Sequence, residues 1–79
     1  MLREVTKRQY DLLEFVASFA SKQGRNPSQN EIASGIKTTQ NSVYKMMQLL
    51  QDRGVIFRDQ LWARQYEVVS EYKIKDKYE

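Results

Sequence analysis

Pro27-Ser28-Gln29-Asn30-Glu31-Ile32-Ala33-Ser34-Gly35-Ile36-Lys37-Thr38-Thr39 is the stretch on which the fold turns. Ser28-Gln29-Asn30-Glu31 has the form of a capping box. The cap hydroxyl and the carboxylate three residues on satisfy two of the free backbone donors at a helix start. Pro27 cannot continue a helix but is well placed just before a new one. The helix that follows is short, with Ile32 and Ala33 as its only inward residues before Gly35 allows the chain to turn. Ile36, Lys37 and Thr38 form the turn, and Thr39 has the right chemistry to cap another helix.

That next helix is expected to run from Gln40 through Arg53, where Gly54 stops it. Val43, Met46, Met47 and Leu50 are spaced to face inward, and Ile36 joins them from the turn. With Val43, Met47 and Leu50 inside, Asn41, Lys45 and Gln48 lie near the opposite side. Gln40 and Tyr44 occupy one flank and Ser42 the other. The exposed face is dominated by amides.

Working outward, Thr6-Lys7-Arg8-Gln9 is a second capping box, with Val5 and Tyr10 placed as a hydrophobic staple. Leu12, Leu13, Phe15, Val16, Phe19 and Ala20 then form one buried helical stripe, which ends after Lys22 at Gly24. Arg25-Asn26-Pro27 connects this helix to the short one. Beyond Gly54, Val55-Ile56-Phe57 and Arg64-Gln65-Tyr66-Glu67-Val68 read as two antiparallel strands. The intervening residues 58–63 hold no glycine or proline, so the hairpin has no strong turn signal. Met46, Met47, Tyr10, Phe15, Phe19 and Tyr66 are read as core. Trp62 either covers that core or offers surface to a partner. The fold class is therefore α+β, a winged helix-turn-helix of three helices followed by a β-hairpin wing, in one domain over residues 1–70. Residues 71–79 form a charged tail, disordered or docked on a second subunit through Tyr72, Ile74 and Tyr78.

Seventy-nine residues suffice for one small core. There is no cysteine and no histidine, which removes disulfides, thiolate ligands and the commonest general base. The acidic residues are scattered singly. The expectation is a non-enzyme with no catalytic site, no metal site, no cofactor and no evident small-molecule ligand. No apolar run approaches the length of a membrane span, and Met1 to Tyr10 lack the apolar core of a signal segment, so a cytoplasmic location is expected. The net charge is +3. From Ile36 to Gln65 five basic residues (Lys37, Lys45, Arg53, Arg58, Arg64) face two acids, which accounts for the whole excess.

Three helices with a tight turn before the third, and a hairpin after it, is the layout that presents a reading helix to the DNA major groove. Asparagine and glutamine can bond bidentately to the adenine edge, and lysine can reach guanine or phosphate. Tyrosine and serine can hold phosphate oxygens. Thr38 and Thr39 stand where phosphate would meet the helix start. Arg58 and Arg64, at the hairpin tip, are placed to reach along the phosphates or into the minor groove. The candidate DNA-binding set is thus Thr38, Thr39, Gln40, Asn41, Ser42, Tyr44, Lys45, Gln48, Arg58 and Arg64.

Thr6-Lys7-Arg8-Gln9, Pro27-Ser28-Gln29-Asn30-Glu31-Ile32-Ala33 and Gly54-Val55-Ile56 resemble the amino-terminal DNA-binding domain of LexA-type repressors, over residues 5 to 69. The stretch from Glu31 to Ile56 also resembles the general winged-helix regulator pattern. The resemblance implies that Thr39 caps the recognition helix and that Gln40, Asn41, Ser42, Tyr44 and Lys45 fall at positions such domains use on DNA. Two departures stand out. Lys37 occupies the turn where the general pattern has glycine, and no counterpart of the protease domain is present, so self-cleavage is not implied.

The expected function is sequence-specific binding of double-stranded DNA by a transcriptional repressor that occupies its operator. A single module on DNA buries little surface, so a homodimer on two half-sites is expected. Its candidate contact surfaces are the residues before Thr6 and the terminal tail. The same fold also serves replication or mobile-element factors and protein-binding adaptors, which remain the alternatives.

Overall fold

Thr6 and Gln9 close the first capping box reciprocally. The Thr6 hydroxyl accepts from the Gln9 N–H at 3.1 Å, and Gln9 Oε1 accepts from the Thr6 N–H at 3.0 Å. In the computed structural model, which describes residues 3–58, 66–68 and 71–74, this box starts helix α1 (Lys7–Gln23). Gly24 ends it in the left-handed conformation at φ 74°. The second box behaves likewise: Ser28 caps α2 (Gln29–Gly35), and Glu31 Oε1 accepts from the Ser28 N–H at 2.7 Å. Thr39 caps α3 (Gln40–Asp52). Strand β1 (Arg3–Val5) precedes the helices, and β2 (Ile56–Arg58), β3 (Tyr66–Val68) and β4 (Tyr72–Ile74) follow them.

The turn between α2 and α3 departs from expectation in one respect. Gly35 is still helical, and the left-handed residue is Lys37, at φ 60°. Gly35 is small for a different reason: a Cβ there would stand 2.2 Å from Phe15 Cε1. The glycine lets α2 lie against α1 rather than letting the chain turn. The turn is closed by the Ile36 N–H on Ile32 O and the Thr38 N–H on Ala33 O, both at 2.9 Å.

Leu12, Leu13 and Val16 from α1, Ile32 and Ala33 from α2, and Val43, Met47 and Leu50 from α3 form the core with Val5, Val55, Ile56 and Tyr66. Tyr10, Phe15, Ile36 and Met46 pack against it half-buried. Phe19, read as core, instead lies at the edge beside Phe15, with the Arg25 guanidinium 5.0 Å over its ring.

Strands β2 and β3 pair antiparallel, with Ile56 opposite Val68, Phe57 opposite Glu67 and Arg58 opposite Tyr66. Three helices followed by this strand pair give the winged-helix arrangement expected above. Strands β1 and β4 form a separate parallel pair, Arg3 to Tyr72 through Val5 to Ile74. Thus Tyr72 and Ile74, placed by sequence in a charged tail, pair with the amino-terminal segment of their own chain. Tyr72 packs edge-on against Tyr10 at 5.7 Å and donates its hydroxyl to Glu14 Oε2 at 2.9 Å. Burial and the Glu14 carboxylate push the Tyr72 phenol up to about 12. Trp62, Arg64 and Tyr78 lie outside the described residues.

Candidate nucleic-acid interface

The start of α3 is built by Thr39, whose Oγ1 accepts from the Ser42 N–H at 3.1 Å and donates to Ser42 Oγ at 3.0 Å. From there the helix divides sharply. Val43, Met47 and Leu50 are essentially inaccessible, while Gln40, Asn41, Tyr44 and Lys45 are exposed and Ser42 and Gln48 half-buried. The face predicted for the groove is therefore the face left free by the core. Because Asn41, Lys45 and Gln48 recur at helical spacing, all three lie along one side of α3.

Tyr44 and Gln48 are not independent. Gln48 Nε2 donates to Tyr44 Oη at 2.8 Å, one turn apart. The bond holds the amide and the phenol in a fixed relation, which lowers the rotamer entropy either would lose on meeting a ligand. Leu49, unforeseen as a surface residue, is 50% exposed one turn beyond Lys45.

Two clefts flank the helix start. Gln40 shares one of about 230 Å³ with Ser28, Gln29 and Asn30 from the start of α2, and none of these four residues is charged. Thr38, Ser42 and Lys45 share the other, of about 330 Å³, with Met46 and with Arg8 from the first turn of α1. Arg8 was absent from the sequence-derived set. No local pattern brings α1 to this face; only the packing of α1 across α3 does.

Of the expected wing residues, Arg58 ends β2 opposite Tyr66 in backbone register, while its side chain and the whole of Arg64 lie outside the described residues. The wing itself is joined to the helices. The Tyr66 hydroxyl donates to Pro27 O at 2.6 Å, and Asn26 Nδ2 donates to Tyr66 O at 2.5 Å. Arg25 donates two parallel bonds to Glu31, both 3.1 Å. With the Ser28 N–H, that fork holds the Glu31 carboxyl well below its ordinary value, at about 2.

No helix among the described residues is long and apolar enough to cross a membrane, and no acidic cluster among them has the makings of a metal site.

A family model described as the LexA DNA-binding domain matches residues 2–70. Among curated proteins, the LexA repressor of Staphylococcus epidermidis is 32% identical over 71 residues, covering 89% of this chain and 34% of its own length. That of Bacillus cytotoxicus is 31% identical over 75 residues, covering 94% and 36%. That of Koribacter versatilis is 35% identical over 66 residues, covering 82% and 31%. The chain thus spans about a third of the length of the curated relatives it matches.

Proposed function

The chain belongs to the LexA DNA-binding domain family, and from that premise we propose that it binds double-stranded DNA in a sequence-specific way and represses transcription by occupying its operator. The observation that carries the reading is the division of α3. One side is wholly committed to the core, and the other presents Gln40, Asn41, Tyr44 and Lys45 to solvent directly after a capped, tightly closed turn. A helix with that surface fits the major groove, where amides read adenine and lysine reads guanine or phosphate. Thr38, Thr39, Ser42 and Gln48 complete the contact surface on α3 and its turn, and Arg58 and Arg64 extend it along the wing. The matched relatives, each named a repressor, support repression as the consequence of binding.

In this reading the chain acts in the cytoplasm as a binding domain rather than as an enzyme. It works as a homodimer, because one winged module buries only about 600 to 1,000 Å² on DNA, and two half-sites about one helical turn apart give the missing specificity. The test is selection from a random pool of duplex DNA, followed by footprinting on the enriched site. A single enriched motif, repeated with two-fold symmetry, supports both parts. Enrichment of an unrepeated half-site supports the binding function and removes the dimer. An unenriched pool would overturn the reading and leave a protein-binding adaptor in its place.

A further inference from the structure

Arg8 and Lys45 come from different helices yet line the same cleft, together with the hydroxyl residues Thr38 and Ser42 and the apolar Met46. Among the described residues, no carboxylate contributes to that lining. Among the described residues, the ion pairs engage other cations: Lys7 with Asp11 at 2.8 Å and Arg25 with Glu31 at 3.1 Å. Arg8 and Lys45 take part in neither. Ser42 Oγ already accepts the Thr39 hydroxyl, so its own proton is left for an outside acceptor. Two uncompensated cations and hydroxyl donors around one opening make a seat for an anionic oxygen group, and the guanidinium fork matches a phosphate bidentately.

The position of the cleft names the source of that phosphate. A helix in the major groove has a sugar-phosphate strand on each flank. Among the described residues, the lining on the Gln40 flank is uncharged, and that on the Ser42 and Lys45 flank carries both cations. We propose that this second cleft seats one backbone phosphate of the duplex, with Arg8 as its principal contact and Lys45 and Ser42 as the contacts from α3. The proposal rests on the DNA-binding reading above and adds to it a contact from α1. At the start of α3 the anchoring is then one-sided: α1 clamps one strand, and the cleft on the Gln40 flank offers no charge from its described lining.

The test is the salt dependence of binding by the whole chain to two duplexes, one carrying the selected site and one of mixed sequence. Arg8→Ala lowers the slope of log affinity against log salt by about 0.9, the value for one lost phosphate contact. It also weakens binding by the same factor on both duplexes, since a phosphate contact carries no sequence information. Arg8→Gln, which keeps the stem at this exposed position but drops the charge, gives the same slope change with the thermal midpoint held, and Arg8→Lys restores most of the slope. Lys7→Ala, on the same turn but outside the cleft, leaves the slope at the wild-type value. Wild-type slopes in Arg8→Ala and Arg8→Gln would remove the seat while the DNA-binding reading stands. An equal slope change in Lys7→Ala would reduce it to general charge. A wild-type chain that binds neither duplex at any salt overturns both. Inorganic phosphate at matched ionic strength supplies the other source. If it alone saturated the Arg8 Nε–H resonance at low concentration, the cleft would be a site for a free anion and the backbone assignment would fall.

Discussion

The Tyr66 hydroxyl donates to the carbonyl of Pro27 at 2.6 Å, in a buried bond that joins the second strand of the wing to the residue before the α2 cap. Asn26 closes the same joint from the other side by donating to the Tyr66 carbonyl. The second wing strand and the helix-turn-helix unit are therefore tied together at this point by two hydrogen bonds. Removing only the hydroxyl tests the joint. Tyr66→Phe keeps the ring in the core but leaves the Pro27 carbonyl buried without its donor, at a cost of roughly 1–3 kcal/mol. Urea unfolding followed by circular dichroism should show a lower midpoint at unchanged slope. A midpoint equal to wild type would mean that the bond contributes nothing.

Gly35 and Phe15 form a second joint, between α2 and α1. A Cβ at Gly35 would fall 2.2 Å from the Phe15 ring, so Gly35→Ala must push that half-buried ring aside and off its neighbour Phe19. Overpacking of this kind costs about 1–3 kcal/mol, against a gain of up to about 1 kcal/mol from the better helix former. The single substitution is expected to lower the thermal midpoint. In a Phe15→Ala background the obstacle is gone, and the same Gly35→Ala change should raise the midpoint. Equal effects in both backgrounds would show that the two residues are uncoupled.

Lys37 sits at φ 60°, a left-handed position that favours glycine. A residue with a Cβ held there costs of order 1–3 kcal/mol, partly offset in any glycine variant by the looser unfolded chain, about 0.4–1 kcal/mol. Lys37→Gly is thus expected to stabilise the domain by about 1 kcal/mol. That corresponds to a rise of roughly 4–8 °C in the midpoint for a chain of this size. Lys37→Ala, which removes the charge but keeps the Cβ, should leave the midpoint near wild type. A rise in the alanine variant as large as in the glycine variant would trace the effect to charge and not to the backbone.

These residues also show where the sequence was readable. Both capping boxes are local patterns of fixed spacing, and Thr6–Gln9 and Ser28–Glu31 form the expected reciprocal bonds. The buried stripe of α3 and its exposed amide face follow from helical periodicity alone. Gly35 was legible only as a glycine. Its reason for being one is a ring on another helix, and the turn it was expected to make is made by Lys37. The pairing of β1 with β4 brings residues 3–5 and 72–74 together in parallel, and the approach of Arg8 to α3 depends on how α1 crosses the core. Neither has a signal within any short window. The exposed Phe57, 61% accessible on β2, follows from strand alternation, since its neighbour Ile56 takes the inward side.

Glu31 makes the domain acid-sensitive in a defined window. Its carboxyl is lowered from an ordinary 4.5 to about 2, chiefly by the Arg25 fork and then by the Ser28 N–H. A group whose folded value lies below its unfolded one stabilises the folded state fully above the unfolded value, and that contribution is lost as pH falls through the folded value. The contribution is therefore whole above about pH 4.5 and declines toward pH 2. Glu31→Gln keeps an acceptor for the Ser28 N–H but loses the charge. Its midpoint should lie below wild type at pH 6 and converge on it near pH 2, with a smaller gap in high salt because the pair is solvent-exposed. A gap that stayed constant across the range would assign the difference to packing.

Asn41 and Lys45 separate reading from anchoring on the same helix face. Asn41 is exposed in the first turn of α3, where an amide can pair with both edge atoms of an adenine, N6 and N7. Asn41→Ala should change preference at one position of the selected site, by about 1–3 kcal/mol, while leaving affinity for mixed-sequence DNA nearly unchanged. Lys45 stands one turn on, in the cleft with Arg8, and on the proposed reading its charge acts on phosphate whatever the base. Lys45→Ala should weaken binding to both duplexes alike and flatten the salt dependence. Competition binding with a panel of singly substituted sites distinguishes the two. If Lys45→Ala shifted preference at one position and Asn41→Ala weakened all sites equally, the roles would be exchanged, and the rotation of α3 in the groove would have to turn to bring Lys45 over the bases.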